Sequence, residues 1–252
     1  MTFKKKQESR CKNHNRFFTC EKLRNMNIVI TGASRGIGKA IAEKFIAENH
    51  TVVICSSNPD KLAELQKQFP EIITFVCDVS IKSDVLKFAD FVLQTFDTID
   101  VLVNNAGIFL PGSVHNEEAG ILEKMIETNV YSAYYLTQKL VPKFIEQKNG
   151  YIFNMCSVAS IKAYPNGGSY SISKFALLGF SKCLREELKE YNIKVTSILP
   201  GATLTDSWSG SDLPESRFSK PSDIADLIYS ITQLSAFSVV EDVVIRPQLG
   251  DI

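Results

Sequence analysis

The chain has 252 residues, of which 44% are hydrophobic, and its 28 basic and 28 acidic side chains balance. A chain of this size and composition can build one full-sized core, and its neutral net charge provides no overall field to attract nucleic acid or an anionic membrane. Since no stretch approaches the roughly 18 consecutive apolar residues of a membrane span, we expect neither nucleic acid nor a membrane as a partner.

The first 25 residues differ from the rest in charge. They hold eight basic and two acidic side chains, which gives this segment a net charge of +6. It contains no apolar run of the kind that a secretory signal needs, so it is open to interpretation as a disordered extension, a transit peptide or a nucleic-acid-binding arm. Met26 stands directly before the first strand-like run and is a second candidate for the start of translation. We expect 1–25 to be a basic, disordered extension and 26–252 to form a single domain.

From residue 27 onward, short runs rich in Val and Ile alternate with helical patterns. The runs are nearly continuous in hydrophobicity, which is typical of strands buried on both faces of a parallel sheet. Candidate strands are 27–31, 51–55, 72–76, 99–103, 150–156, 193–199 and 239–245, and helical segments are 37–49, 59–69, 82–96, 117–147, 170–191 and 221–234. This alternation predicts a doubly wound parallel sheet of about seven strands with helices on both faces, a three-layer α/β/α fold of Rossmann type. Ligands of such sheets bind at the carboxyl ends of the strands.

A glycine-rich loop, 31-TGASRGIG-38, connects the first strand to the first helical pattern. Gly32, Gly36 and Gly38 permit positive φ angles and a close approach of the backbone, and the start of the following helix offers N–H groups to a pyrophosphate. The alternative is a tight turn that needs glycine only for packing. Three glycines in this context favour a nucleotide site.

Tyr170 and Lys174 lie four residues apart in 169-SYSISKF-175. On a helix this spacing places them one turn apart on the same face. The pattern arises often by chance and also fits an exposed polar stripe, so its meaning depends on the rest of the chain.

The loop T-G-x-x-x-G-x-G resembles the cofactor loop of the classical short-chain dehydrogenase/reductase family, and further motifs of that family follow in the same order. They are an acidic residue after the third strand (Asp78), Asn-Asn-Ala-Gly after the fourth (104–107), a helix asparagine (Asn129), a serine thirteen residues before Tyr170 (Ser157), and Pro-Gly with a threonine after the sixth strand (Pro200, Gly201, Thr205). The resemblance covers essentially residues 26 to 252. In general type the sequence resembles 3-oxoacyl-[acyl carrier protein] reductases, but 240–252 lacks their glycine-rich ending.

This resemblance implies an enzyme that transfers a hydride between a nicotinamide cofactor and a ketone or secondary alcohol, with a 3-oxoacyl thioester as one candidate substrate. It makes Tyr170 the general acid–base, Lys174 a ligand of the nicotinamide ribose, Ser157 a ligand of the substrate oxygen, and Asn129 the holder of a water. The predicted cofactor site comprises Gly32, Ser34, Arg35, Gly36, Ile37, Gly38, Ser57, Asn58, Asp78, Val79, Asn105, Ala106, Gly107, Tyr170, Lys174, Pro200, Gly201, Thr203 and Thr205. A non-catalytic NADP-binding sensor or scaffold is the alternative.

The proton chemistry explains why a tyrosine would need a lysine. A hydride that reaches a carbonyl carbon leaves negative charge on the oxygen, so a proton donor is required. Tyrosine has an unperturbed pKa of about 10, and a nearby ammonium favours the phenolate. Lowering that pKa to near 7 requires about 4 kcal/mol, which Lys174 and an oxidised nicotinamide could supply together. We therefore expect Lys174 to lower the pKa of Tyr170.

The end of the second strand bears on which nicotinamide cofactor binds. NAD-dependent enzymes usually have an acidic residue there, which binds the ribose 2′-hydroxyl, but 55–58 contains none. Arg35 could reach a 2′-phosphate with its planar guanidinium, unless it is only a solvated loop cation. Ser57 and Asn58 could add hydrogen bonds. The sequence thus favours NADP(H), with NAD as the alternative.

The cysteines and histidines suggest no structural cross-link or metal. None of the cysteines forms a C-x-x-C pair, and the three histidines show no metal-ligand spacing. We therefore expect reduced thiols, a cytoplasmic location and no metal site. The cysteines are Cys11, Cys20, Cys55, Cys77, Cys156 and Cys183.

Substrate contacts and assembly are less directly encoded. Segment 206–219 is polar and short, which suggests a lid over the substrate site. Candidate pocket residues are Phe109, Leu110, Ala163, Tyr164, Trp208, Leu213 and Phe218. Members of the family commonly pair through the helices corresponding to 117–147 and 170–191, so we expect a homodimer or homotetramer. These helices carry apolar residues beyond a single stripe, so one face can pack on the sheet and the other can bind a partner copy. The residues are Tyr131, Tyr134, Tyr135, Leu136, Phe175, Leu177, Leu178 and Phe180.

Overall fold

The computed structural model describes residues 25–208 and 210–251; the expectations for residues 1–24 lie outside this range. Seven parallel strands in the described residues form one sheet, in the order β3-β2-β1-β4-β5-β6-β7. The strands are β1 (Asn27–Thr31), β2 (Thr51–Ser56), β3 (Ile73–Val76), β4 (Val101–Asn104), β5 (Gly150–Met155), β6 (Ile193–Pro200) and β7 (Asp242–Ile245). The helices are α1 (Gly36–Ala47), α2 (Pro59–Gln68), α3 (Lys82–Thr95), α4 (Ile121–Ile126), α5 (Ser132–Gln147), α6 (Gly168–Leu188) and α7 (Pro221–Thr232). The predicted doubly wound α/β fold is confirmed.

Two apolar layers cover the two faces of the sheet. Because successive side chains of a strand point to opposite faces, Ile28 and Ile30 of β1 pack in the layer that includes α1 and α7, and Val29 packs in the opposite layer. Phe88 of α3 and Phe144 of α5 fill that opposite layer and are fully buried. The central strands are therefore buried on both faces, as their unbroken hydrophobicity predicts.

The two outer strands depart from that pattern. In β3 the last residue, Val76, is exposed, and in β7 exposed and half-buried residues alternate. Strand β7 is also shorter than predicted, since it begins at Asp242 and not at residue 239. An edge strand has a neighbour on one side only, so its burial cannot be read from hydrophobicity alone.

The predicted helix 117–147 is wrong in its continuity. Gly120 adopts a left-handed conformation, with φ of 91°, and the helical path begins only after it. Between α4 and α5, residues Glu127–Tyr131 form a π-helix. Such wide turns occur mostly as single insertions within α-helices and often lie at functional sites.

Across residues 25–208 and 210–251, no helix combines the length and apolar character needed to cross a membrane. The same part of the chain holds no group of three or more side chains arranged to bind a metal ion.

A chain of buried polar side chains crosses the sheet beneath the strand ends. Asn104 Nδ2 donates to Thr137 Oγ1 and to Asn154 Oδ1, both at 2.9 Å. Asn154 Nδ2 in turn donates to Ser181 Oγ at 3.0 Å, and Ser181 Oγ lies 2.9 Å from Ser197 Oγ. Buried polar groups need such partners, because an unpaired one costs free energy. The chain therefore ties β4, β5 and β6 to α5 and α6.

Replacing Asn154 with alanine should break this chain at its centre. The Asn104 amide and the Ser181 hydroxyl each lose a partner while they remain buried, so we expect unfolding to become easier by about 2 to 3 kcal/mol. Urea denaturation measures the change. Asn116→Ala is the matched control, because Asn116 is exposed and should shift stability by less than about 0.5 kcal/mol. Equal stability of the two variants would contradict the interpretation.

Candidate active site

A cleft of about 1050 Å³ opens at the carboxyl ends of β1, β2, β4, β5 and β6. Apart from Gly38 and Asn129, every residue predicted for catalysis or cofactor binding lines it: Gly32, Ser34, Arg35, Gly36, Ile37, Ser57, Asn58, Asp78, Val79, Asn105, Ala106, Gly107, Ser157, Tyr170, Lys174, Pro200, Gly201, Thr203 and Thr205. The motifs that are separated in sequence are thus brought to one place.

The glycine loop is shaped by close contact with the segment after β4. Gly32 has φ of 64°, and a Cβ there would lie 2.8 Å from the Ala106 Cα atom. Gly38 packs inside the loop, where a Cβ would lie 2.4 Å from Nδ2 of the Asn105 side chain. At the start of α1, Arg35 occupies the N-cap position without a side-chain cap, and the first turn contains no acidic residue. The backbone N–H groups there lack a side-chain acceptor.

The Asn-Asn-Ala-Gly motif holds the end of β4 against the glycine loop. Asn105 Nδ2 donates to the carbonyl oxygens of Thr31 and Gly32 at 2.9 and 3.0 Å. The backbone N–H groups of Asn105 and Ala106 both donate to Thr31 Oγ1, at 3.1 and 3.0 Å. The motif therefore has a structural role in the gap between β1 and β4, where the strand order reverses.

Lys174 and Tyr170 lie on the first turns of α6 and face the end of β5. The Lys174 side chain is 4% exposed, and its Nζ donates to the Met155 carbonyl oxygen at 2.8 Å. The same Nζ lies 5.8 Å from the centroid of the Tyr170 ring. Ser157 caps a short turn by accepting from the Ala159 N–H at 3.1 Å, and its side chain lies near enough to Tyr170 to lower the pKa of the phenol.

Loss of water shifts both titratable groups in this arrangement. It raises the pKa of Tyr170 to about 12, an effect that the hydrogen bond to Ser157 partly opposes. It lowers the pKa of Lys174 to about 8. In the protein chain alone the pKa of Tyr170 is therefore raised and not lowered as expected, because desolvation of the phenol dominates and Lys174 does not offset it.

Asn129 lies behind the cleft lining, within the π-helix, and is 1% exposed. Its Oδ1 accepts from the Ile108 N–H at 2.7 Å, and its Nδ2 donates to the Ile108 carbonyl at 3.0 Å and to Ser173 Oγ at 2.9 Å. Ser173 Oγ donates to the Tyr170 carbonyl at 2.7 Å. Asn129 thus satisfies backbone groups of Ile108, and it also joins α6 to the segment after β4. The water remains a prediction.

Gly107 brings Asn129 and Lys174 to a common point. A Cβ at Gly107 would lie 3.2 Å from Asn129 Oδ1 and 3.4 Å from Lys174 Nζ. Any larger residue would press on both side chains. The four candidate catalytic residues therefore form one connected group around this glycine and the end of β5.

Arg35 reaches across the mouth of the cleft to the segment that follows β6. Its guanidinium lies 3.3 Å from the carboxylate of Asp206, and Lys61 lies 3.6 Å from the same carboxylate. All three side chains are substantially exposed and line the cleft. Asp206 and Lys61 have no place in the sequence motifs. The description of Arg35 as only a solvated loop cation is incomplete.

The predicted lid folds partly on itself. Trp208 lines the cleft, but Phe218 is buried against it, with ring centroids 5.1 Å apart. The Arg217 guanidinium donates to the carbonyl oxygens of Leu249 and Asp251 at 3.4 and 3.3 Å. The C-terminal residues thus reach the cleft, and Asp251 is part of its lining.

Only some of the residues predicted for the substrate pocket line the cleft. Phe109, Tyr164 and Trp208 line the cleft. Leu110, Leu213 and Phe218 are not part of the cleft lining, and Ala163 lines a neighbouring pocket of about 500 Å³ that shares Tyr164. Residues missed include three charged side chains that belong to no motif: Lys124, Lys162 and Asp251. Only their positions near motif residues could have indicated them.

Comparisons with known proteins agree with this geometry. Residues 26–215 match the family described as short chain dehydrogenase. An uncharacterized oxidoreductase of Staphylococcus epidermidis is 32% identical over 228 residues, which cover 90% of this chain and 99% of the relative. The sepiapterin reductase of Chlorobaculum tepidum is 31% identical over 239 residues, covering 89% of this chain and 97% of the relative.

A solved structure gives the same result at the level of the fold. A metagenomic short-chain oxidoreductase in complex with NADP is 30% identical and superposes with a TM-score of 0.78, covering 88% of this chain and 97% of the other. The sequence match extends from β1 to the segment beyond β6, and so includes every catalytic candidate. The chain belongs to the short-chain dehydrogenase family.

Proposed function

We propose that the protein is an NADP(H)-dependent oxidoreductase that transfers a hydride between the nicotinamide and a ketone or secondary alcohol. The observation that carries this proposal is the arrangement at the end of β5. There Tyr170 and Ser157 line the same cleft, and a buried lysine, Lys174, lies one turn away with its Nζ on the Met155 carbonyl oxygen. The NADP bound to the metagenomic relative supports the choice of cofactor.

The cleft fits a nicotinamide dinucleotide. The uncapped start of α1 suits a pyrophosphate. At Gly36, with φ of 57°, a Cβ would lie 3.3 Å from Thr205 Cγ2. The glycine loop and the segment after β6 therefore approach each other closely at this end of the cleft. We assign the adenine end to Asp78 and Val79, and the carboxamide end to Pro200, Gly201, Thr203 and Thr205. Ser34, Ile37, Asn105, Ala106 and Gly107 complete the floor.

A bound nicotinamide would supply or accept the hydride, and the chain's own residues would donate or accept the proton. With its pKa raised to about 12, Tyr170 stays protonated at neutral pH and can donate to a carbonyl oxygen. Ser157 lines the cleft with Tyr170 and can hydrogen-bond the same oxygen. Lys174, charged below pH about 8, provides a positive charge near the developing oxyanion. These are the protonation states that the reduction step requires.

Arg35 supports NADP(H) over NAD. The end of β2, 55–58, provides no carboxylate for a ribose 2′-hydroxyl, and the cleft there is lined by Ser57 and Asn58. Asn58 is partly engaged already, since its Oδ1 accepts from the Lys61 N–H at 2.9 Å. A 2′-phosphate would compete with Asp206 for the Arg35 guanidinium, and charge-assisted bidentate contacts favour the phosphate.

For the substrate, we propose a carbonyl compound whose nonreacting part contacts aromatic side chains. Phe109 packs edge-on against Tyr170, with ring centroids 5.0 Å apart, and Tyr164 and Trp208 line the same cleft. A 3-oxoacyl thioester remains one candidate. The sepiapterin reductase among the relatives suggests sepiapterin or a similar compound as another.

The alternative function is a non-catalytic NADP-binding sensor or scaffold. The candidate catalytic residues lie together at the end of β5, which argues against it, because cofactor binding alone does not require a proton donor. These residues are Ser157, Tyr170, Lys174 and Asn129. Substrate turnover is the measurement that separates the two.

We propose a homodimer or homotetramer, formed through α5 and α6. Tyr131, Tyr134 and Phe175 are each more than 40% exposed and supply an apolar surface. Leu136, Leu177 and Leu178 are buried in the core of one chain, so they belong to the faces of these helices that pack inward.

We also propose a single catalytic domain over 26–252, with 1–25 as an extension, in a cytoplasmic protein. Cys55, Cys77 and Cys156 are buried free thiols, as expected in a reducing compartment. Asn25 already contacts the fold, since its Oδ1 accepts from the Thr51 N–H at 3.1 Å.

Tyr170→Phe should abolish turnover while it preserves the cleft. The variant keeps the ring but loses the proton, so kcat for reduction of a responsive ketone should fall by about a factor of 1000. The dissociation constant for NADPH, measured by fluorescence, should change less than about twofold. Tyr191→Phe, at an exposed tyrosine outside the cleft, is the control. A Tyr170→Phe enzyme with wild-type kcat would remove Tyr170 from the acid–base role.

The pH dependence of reduction should report Lys174 before Tyr170. Because the pKa of Lys174 is lowered to about 8 and that of Tyr170 is raised to about 12, the ammonium is lost first as pH rises. We expect kcat/KM for reduction to be level below pH 8 and to fall above it, by up to about tenfold per pH unit. Lys174→Arg, which stays charged, should lack this decline in its remaining activity. A level wild-type profile up to about pH 10 would contradict the role of the ammonium.

Arg35 and Asp206 should have opposite effects on cofactor choice. Arg35→Ala should raise the KM for NADPH about tenfold, because charge-assisted contacts to the 2′-phosphate are lost, and should leave the KM for NADH nearly unchanged. Asp206→Asn removes an exposed ion pair worth up to about 1 kcal/mol, so it should lower the KM for NADPH two- to threefold. Steady-state kinetics with both cofactors decide. Equal changes for NADPH and NADH would exclude Arg35 from 2′-phosphate binding.

A further inference from the structure

A carboxylate is held against the start of α6, one residue before Tyr170. Glu117, in the segment between β4 and α4, accepts a hydrogen bond from the Ser169 N–H at 2.9 Å through Oε1. Its Oε2 accepts a second bond, a short one, from the Ser169 hydroxyl. These two bonds hold the pKa of Glu117 below its usual range. The side chain is therefore charged at neutral pH.

Helix α6 has no cap of its own. The N-cap position is Gly167, which has no side chain to cap the helix, and the first turn contains no acidic residue. The first N–H groups of any helix need acceptors, and negative charge is stabilising at that end. Glu117 supplies both from a distant part of the chain, 52 residues before Ser169.

Two glycines leave room for this carboxylate. A Cβ at Gly168 would lie 2.1 Å from Glu117 Oε1 and 2.7 Å from the Gly112 carbonyl oxygen. A Cβ at Gly112 would lie 2.7 Å from Glu117 Cγ. Neither glycine has a positive φ, so the backbone conformation does not require glycine at these positions. The space that Glu117 occupies does.

The segment around Glu117 is joined to the start of α6 at further points. Gly112 and Gly167 form a parallel bridge, and the Gly112 N–H donates to the Asn166 carbonyl at 3.1 Å. Ser113 Oγ donates to Asn166 Oδ1, also at 3.1 Å. Residues 112–117 therefore lie along 166–169, and Glu117 forms the contact nearest to the tyrosine.

We propose that Glu117 is a positioning residue for Tyr170, which fixes the first turn of the helix so that the tyrosine hydroxyl meets Ser157. The inference rests on the proposed function, because it assigns a partner to the general acid. Ser169 precedes Tyr170 directly, so a shift of the Ser169 amide moves the tyrosine backbone. A misplacement of about 1 Å at a reacting group can cost about a factor of 100 in rate.

Four variants open the contact in different ways. Glu117→Ala removes both hydrogen bonds, and Gly168→Ala displaces the carboxylate while leaving it in the sequence. Ser169→Ala keeps the bond to the residue 169 N–H and loses the one to the hydroxyl. Glu117→Gln can keep both bonds, with its NH2 group donating to the hydroxyl oxygen, but it removes the negative charge. Glu118→Ala is the matched control, since Glu118 is an exposed neighbour outside the cleft lining. The measurements are kcat and the KM for NADPH, together with amide hydrogen exchange at Ser169.

We expect kcat to fall about 10- to 100-fold in Glu117→Ala and Gly168→Ala, and by a smaller factor in Glu117→Gln and Ser169→Ala. The KM for NADPH should stay within about twofold of the wild-type value, and exchange at Ser169 should become faster. Wild-type kcat in Glu117→Ala, unchanged exchange at Ser169, or a KM that rises in step with the loss of kcat would each overturn the proposal. If the wild-type protein turns over no substrate, the proposed function fails. The exchange of Ser169 then decides the contact alone: faster exchange in Glu117→Ala supports it and unchanged exchange overturns it.

Discussion

The contact between the Lys174 ammonium and the Met155 carbonyl oxygen sets the geometry of the cleft. It joins the second turn of α6 to the last residue of β5, two residues before Ser157. A buried charge is costly unless it is hydrogen-bonded, so this contact restricts where α6 can lie along the strand. Because Tyr170 lies one turn earlier on the same face of α6, the position of the helix also directs its side chain toward Ser157. The contacts of Asn129 with Ile108 and Ser173 hold the same helix from the β4 side.

Desolvation raises the pKa of Tyr170 and lowers that of Lys174, because in each case it favours the neutral form. The phenol becomes a weaker acid and the ammonium a stronger one. Pairs of groups whose surroundings set their pKa values apart from the usual ones are typical of acid–base sites. In the chain alone the proton rests on the tyrosine, which is the form needed to donate. The lysine contributes through its charge and its contact with the backbone, and less through any direct effect on the phenol.

Much of the fold could be predicted from the pattern of hydrophobic residues alone. Several strands are buried on both faces, so nearly every residue in them is apolar and the run is easy to recognise. These strands are β1, β2, β4, β5 and β6. The limits of prediction appear where tertiary contacts decide. Gly120 interrupts a helical pattern that looked continuous, and the edge strand β7 is short and half-exposed. Among helix residues, Leu136 and Tyr134 look alike in sequence, yet one is fully buried and the other is 42% exposed.

The site was predictable where spacing is fixed by secondary structure, as for Tyr170 and Lys174 on one helix. It was not predictable where partners come from distant segments. Ser169 and Ser173 flank the tyrosine without belonging to any motif, and their partners, Glu117 and Asn129, lie 52 and 44 residues earlier. The effect of desolvation on Tyr170 also requires the packed structure, because sequence shows which charge is near but not how much water is removed.

The π-helix between α4 and α5 has a consequence for how this part of the chain can vary. An ordinary α-helix turns about 100° per residue, so one residue more in a single turn changes the rotational phase of everything beyond it. In Glu127–Tyr131 that offset allows Asn129 to face α6 while Leu140 and Phe144, further along, face the sheet. Loss of one residue here would regularise the helix and rotate one of these faces away from its partner. The wide turn therefore makes the length of this segment, and not only its composition, a constraint on the fold of this chain.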